Sequence, residues 1–314
     1  MHLAELIRTH SYQPNGVPDW LLGYFRRTSI TFANGMSDRT TNVRWLQCRN
    51  ITIDLRLPRR EDLVQPKPWS DYSVEELRQL ANYEGWCADA VFDDRQLSWS
   101  GGVSLQLHNR WSEPAELRRV GNCMIEFAPS GAYVEDWRQQ PSKPGPLVGL
   151  RLLEERDLRT GAVRHRGGAL CVCGDYAGLV LGRAAVSSPL NQPNQLRELA
   201  VTAQGSARRL RELFGCEVAL ASGSLTDGYR VEHSTRLDWV SQPLIDLEGF
   251  ETPAADGLIR QCCASDGVPI ERFFAIDSLE PHLDFSHATA ASSVATRWFQ
   301  EEGETLRRYL EGVH

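Results

Sequence analysis

Ile51-Thr52-Ile53-Asp54-Leu55-Arg56-Leu57 carries an apolar side chain at every second position until Pro58 interrupts it. Successive side chains of an extended strand point to opposite faces, so Ile51, Ile53, Leu55 and Leu57 share one side and Thr52, Asp54 and Arg56 the other. Upstream, Gly23 to Ala33 is rich in Tyr, Phe, Ile and Thr, Asn34-Gly35 is a hairpin signal, and Val43 to Cys48 is extended again. Downstream, Ser73-Val74-Glu75-Glu76 has the spacing of a capping box and predicts a short helix to about Asn82. Strands are then expected at Tyr83 to Phe92, Val103 to Trp111, Met124 to Phe127, Ala132 to Arg138 and Leu147 to Glu154. A hairpin at Arg159-Thr160-Gly161 leads into Gly168 to Gly182. Short strands divided by turn signals about every ten residues favour a sandwich or an up-and-down barrel over parallel βαβ units.

The flanking helices are read from apolar spacing. Leu3, Leu6 and Ile7 predict an amphipathic helix at Met1 to Thr9, Gln195 to Phe214 a helix interrupted at Gly205, and Ala291 to Leu310 a C-terminal helix. Strands return at Cys216 to Ser222, Tyr229 to Ser241 and Ile270 to Ala275. Ser187 to Asn194, with two prolines and two asparagines, is the linker candidate. The expected division is a first β-barrel domain with its N-terminal helix over 1–186, and a smaller β domain with two helices over 187–314.

The 314 residues are 41% hydrophobic, 24% charged and 9% aromatic, which is a globular composition with room for two cores. A formal charge of −7 gives no footprint for nucleic acid or an anionic membrane. No stretch approaches the roughly 20 apolar residues of a membrane span, and Met1 to Ser11 does not read as a secretory signal. A cytoplasmic location is the expectation, and in that compartment the eight cysteines are thiols rather than a disulfide framework.

Chemistry-bearing motifs are mostly absent. There is no Walker-type loop, no Gly-x-Gly-x-x-Gly after a strand, no Gly-x-Ser-x-Gly elbow and no His-Glu-x-x-His. Cys171-Val172-Cys173 and Cys262-Cys263 lack zinc-site spacing and read as core thiols. No cofactor and no metal are expected. Gly174, Gly178 and Gly182 read as bulges or tight bends.

What remains is polar residues interleaved with aromatics. His108, Arg110 and Gln106 share one side of the Val103 to Trp111 segment, Glu84 shares a side with Trp86, and Tyr133 and Glu135 share theirs with Trp137. Glu126 alternates with Ile125 and Phe127. Solvated strand faces seldom mix carboxylates with large aromatics, so these sides point to a lined pocket.

Trp45-Leu46-Gln47, Ile53-Asp54-Leu55-Arg56-Leu57-Pro58 and Glu84-Gly85-Trp86 resemble a pattern in uncharacterised bacterial lipocalin-like proteins and, more distantly, in the family of the fungal Hrr-kinase-interacting protein. The resemblance covers about the first 180 residues and implies tandem lipocalin-like barrels. It transfers no catalytic residue. The resulting expectation is a mostly β protein with flanking helices, built as tandem lipocalin-like antiparallel β-barrels, whose first barrel binds a small carboxylate-bearing or polar metabolite. His108 is the candidate general acid/base, Glu84 or Glu126 its partner and Tyr133 a hydrogen-bond donor. Arg56 or Arg110 is the candidate anion clamp, with Trp45, Trp86, Trp111 and Gln47 lining the substrate. The reaction class would be a cofactor-independent lyase, isomerase or cyclase. The competing reading is a non-catalytic ligand-binding or interaction module, and a second copy of the chain is a candidate partner.

Overall fold

The computed structural model describes residues 1–108, 112–185, 195–252, 257–286 and 292–310, with the backbone alone for 309 and 310. Helix α1 (Leu3–Thr9) precedes β1 (Gly23–Phe32), the short β2 (Ser37–Asp38), β3 (Asn42–Gln47) and β4 (Ile51–Leu57). Helix α2 (Val74–Leu80) follows, with the capping box formed by Ser73 and Glu76 as the sequence indicates. Then come β5 (Glu84–Asp93), β6 (Gln96–Ser104), β7 (Ala115–Val120), β8 (Cys123–Phe127) and β9 (Tyr133–Gln139). Each strand is antiparallel to its neighbour in the order β1-β3-β4-β5-β6-β7-β8-β9, and β9 returns to pair with β1. The result is a closed eight-stranded barrel with β2 attached to β1.

An eight-stranded barrel encloses a space that side chains just fill. Here Trp45, Trp137 and Phe25 fill it, with Trp45 centred 5.3 Å from both Phe25 and Trp137 and 6.4 Å from Trp99. Trp20 packs edge-on against Phe92, and the Arg119 guanidinium bonds the Trp20 carbonyl and Gln139.

The remaining strands form a second, open antiparallel sheet, and this replaces the expected second barrel. Its members are β10 (Gly145–Asp157), β11 (Val163–Cys173), β12 (Tyr176–Arg183), β13 (Glu217–Ser224), β14 (Gly228–Ser234), β15 (Leu258–Ser265) and β16 (Val268–Leu283). Their order is β14-β13-β12-β11-β10-β16-β15. The sheets therefore change over in the loop after Gln139, so residues 145–183, grouped with the first half by sequence, lie in the second sheet. The segment 187–194 lies outside the described residues.

Neither outer strand of this sheet is bare. Residues along Gln242–Leu244 bond to β14 at Val231 and Tyr229, and Gly249 and Glu251 bond to β15 at Cys262 and Arg260. Such covers remove the unpaired backbone groups on which another chain would add a strand.

One face of the sheet lies against the barrel wall and the other under α1. The apolar side of β4 faces the sheet. A methyl on Gly178 of β12 would stand 2.8 Å from the Leu220 side chain, 3.0 Å from that of Ile53 and 3.1 Å from that of Leu46, so glycine there leaves room for these side chains to pack in the seam. Cys48, Cys171 and Cys173 are fully buried in this seam, with 3.8 Å between the Cys48 and Cys173 sulfurs. On the far face Leu3, Leu6 and Ile7 join Leu150, Leu170, Leu179 and Phe274 in a second core. The backbone of α1 is fixed by Leu3 N donating to the Leu247 carbonyl, and Tyr12 bridges to Leu279.

Helices α3 (Gln195–Thr202) and α4 (Ala207–Leu213) split near Gly205, as the sequence indicates. The C-terminal helix is two, α5 (Ser293–Glu301) and α6 (Gly303–Leu310). Four strands escaped sequence reading, the two-residue β2 among them. β7 and β15 were not expected, and β6 spans Gln96–Ser104 where the alternation around His108 had suggested Val103 to Trp111. Gly101 and Gly102 have φ of 64° and 78°, so the strand carries a kink that obscures its period.

Candidate functional site

All seven residues of β4 are buried. Its apolar side meets the second sheet, so Thr52, Asp54 and Arg56 point into the barrel. Register places them among neighbours of like orientation: Trp45, Asp54 and Trp86 form one cross-strand row, and Val43, Arg56 and Glu84 the next. From the closing side, β8 sets Glu126 opposite Glu135 of β9, and β1 sets Ile30 opposite Glu135 and Arg27 opposite Trp137.

These strands bring their charges together. Arg27 Nη1 donates to Glu135 Oε1 at 2.7 Å and its Nη2 to Asp38 Oδ2 at 2.7 Å. Arg56 Nε donates to Asp54 Oδ1 at 2.8 Å, and its Nη1 lies 3.6 Å from the same Glu135 oxygen. Glu135, 0% exposed, thus links two buried guanidiniums. Deeper in the barrel Gln47 Oε1 accepts from Trp45 Nε1 at 3.0 Å and from Thr52 Oγ1 at 2.6 Å, while Trp99 Nε1 donates to Thr52 Oγ1 at 3.0 Å.

Glu126 stands beside the charge cluster. Its Oε2 accepts from Trp137 Nε1 at 3.0 Å and its Oε1 lies 3.3 Å from the Tyr133 hydroxyl. Burial, reinforced by the Glu135 charge and opposed by Arg56, pushes its carboxyl up to about 8. Burial likewise raises the Tyr133 hydroxyl well above the usual tyrosine range, with Glu126 and Glu135 adding to it. Asp54 is also raised by burial, against the pull of Arg56.

The raised Glu126 carboxyl gives a stability signature. In the unfolded chain it loses its proton in the ordinary carboxylate range, whereas the folded protein holds it to about 8. Between those values the folded state binds the extra proton, so its contribution makes stability fall as pH rises and level off above about 8. Urea titrations from pH 5 to 9 should show Glu126→Gln without this part of the slope and gaining on the parent as pH rises. An unchanged slope would mean that Glu126 is ionised throughout.

At the barrel mouth beside this cluster lies a cavity of about 480 Å³. Arg27, Asp38, Arg56 and Glu84 supply its charged wall, and Ile30, Phe32, Leu57, Pro58 and Tyr83 its apolar one. Asp62 and the end of α2, with Gln79 and Asn82, border it. The volume suits a small organic molecule.

No protein-family model and no curated protein matches the chain. Among solved structures it is similar to an uncharacterized protein of Saccharomyces cerevisiae, YLR301w, at 12% identity and a TM-score of 0.43. The match covers 83% of this chain and 98% of that one.

The sequence-derived candidates distribute unevenly over this geometry. Arg56 and Glu84 line the cavity. Glu126 and Tyr133 form a pair next to the charge cluster. Trp45 and Gln47 are interior filling, 2% and 0% exposed, and do not line the cavity. Trp86 is half-buried, its ring 5.8 Å from Trp99. His108 is half-buried in the bend beyond β6 and does not line the cavity. Arg110 and Trp111 lie outside the described residues. Sequence reading did not single out Arg27, Asp38 or Glu135 as site residues. Arg27 follows Arg26 in β1 and precedes a register shift between Arg27 and Ser29, so no clean alternation marks it as inward.

Proposed function

We propose that the chain binds a small organic molecule in the cavity at the mouth of the first barrel. The observation that supports this reading most is the run of ion pairs Asp38–Arg27–Glu135–Arg56–Asp54, buried but for Asp38, at the wall of a hollow whose other side is apolar at Ile30, Phe32, Leu57 and Pro58. Desolvated charge pairs seldom add net stability compared with packed hydrocarbon. Perturbed ionisable groups beside a cleft are typical of functional sites.

Catalysis is the second reading, and the Glu126–Tyr133 contact favours it. A carboxyl that titrates near neutrality is suited to proton transfer, and the adjacent hydroxyl offers a hydrogen-bonded path for it. In this reading Glu126 replaces His108 as the acid/base group, and Arg27 and Arg56 order the carboxylates around it rather than clamp an anion.

The test is occlusion of the mouth. Asn82 is exposed where α2 meets the cavity, so Asn82→Trp is expected to fill the entrance without disturbing the core. Ligands that copurify with the parent, detected by native mass spectrometry, should be lost in this variant while its unfolding midpoint is kept. Retention of the same ligand at the same occupancy would place binding elsewhere.

A further inference from the structure

We propose that the ligand of the mouth cavity is a small organic cation, an ammonium group carried on a short apolar or aromatic body. This inference rests on the reading of that cavity as the binding site and reverses the sequence-based expectation of a carboxylate-bearing ligand.

The first ground is that both guanidiniums are already committed. Arg27 spends one nitrogen on Glu135 and another on Asp38, each at 2.7 Å, and Arg56 is bonded to Asp54 at 2.8 Å. An anionic ligand would have to share these guanidiniums with the carboxylates they already bond and sit close to that negative charge, which is costly in a low-dielectric site. A cation imposes no such exchange, since ionised carboxylates accept several hydrogen bonds each.

The second ground is the balance of charge. Among the described residues, Asp38, Asp62 and Glu84 line the cavity, and Asp54 and Glu135 stand directly behind its wall, against Arg27 and Arg56. Acceptor capacity is also left over. Asp62 is exposed at the rim and makes no ion pair among the described residues.

The apolar wall then sets the body of the ligand. Ile30, Leu57 and Pro58 offer aliphatic surface, and Phe32 and Tyr83 offer rings whose faces are themselves attractive to a cation.

Three probes of matched size test this: 2-phenylethylammonium, phenylacetate and 2-phenylethanol, titrated calorimetrically into the full chain at neutral pH and low salt. The ammonium probe is expected to bind at least tenfold more tightly than either of the others. Asp62→Asn, a change at an exposed turn, should weaken it severalfold, and Asn82→Trp should abolish it. If phenylacetate or phenylethanol binds as well as the ammonium and is lost in Asn82→Trp, the cation inference is overturned while the cavity remains the site. If no probe binds, or if binding ignores Asn82→Trp, both are overturned.

Discussion

Glu135→Ala should cost the fold about 3–5 kcal/mol, the range seen when one partner of a buried ion pair is deleted and the other charge is left behind. Glu135 is fully buried and holds Arg27 at 2.7 Å while lying 3.6 Å from Arg56. Its removal leaves Arg27 with Asp38 and Arg56 with Asp54, and two guanidiniums facing each other across a void. Urea unfolding at neutral pH measures the loss. A change under about 1 kcal/mol, the scale of an exposed pair, would mean that water reaches the cluster. The informative control is the combined Arg27→Met, Asp54→Leu, Arg56→Met, Glu135→Leu variant, which removes every buried charge of the run and leaves only the partly exposed Asp38, because apolar replacement of an entire buried charge set is often neutral or stabilising. Its expected result is recovery of stability together with loss of ligand binding, which separates what the charges do for the fold from what they do for the site.

Trp45→Ala is expected to be of similar size, about 3–5 kcal/mol, for a different reason. Trp45 is 2% exposed and meets Phe25, Trp99 and Trp137, so the barrel has no slack with which to close the space it leaves. Trp45→Phe should recover most of the loss, keeping one aromatic ring and giving up the rest of the indole with its bond to Gln47. That bond is worth about 1 kcal/mol if its acceptor stays satisfied, and Thr52 still donates to Gln47. If alanine and phenylalanine prove equally mild, the interior is looser than the ring contacts indicate.

How much of this was legible in the sequence varies by element. The alternation in Ile51–Leu57 marks a strand with two unlike faces, and the structure has that strand. Alternation does not say which face is wet, and here neither is. The polar side turns into the barrel and the apolar side meets a second sheet whose first strand begins at Gly145. Helix α2 was readable because its signal is local, Ser73 and Glu76 three positions apart, each side chain bonding the other's backbone. The Arg27–Glu135 pair was not, because it joins residues 108 positions apart across the closing seam, and the register shift after Arg27 erases the period that would have pointed it inward. Tyr133, Glu135 and Trp137 were correctly grouped on one side of their strand, since β9 runs without interruption. His108 was misplaced on a strand because the positive-φ glycines Gly101 and Gly102 bend β6 before it.

The seat of α1 bears on how the molecule is made. Its hydrophobic stripe, Leu3, Leu6 and Ile7, finds cover only against strands and loops reaching as far as Leu247, Phe274 and Leu279. During synthesis these side chains emerge well before the last of the strands that cover them, while the barrel can already close once β9 has emerged. A chaperone that shields short amphipathic segments would therefore engage this protein at α1, and late docking of α1 would be the step that completes this fold.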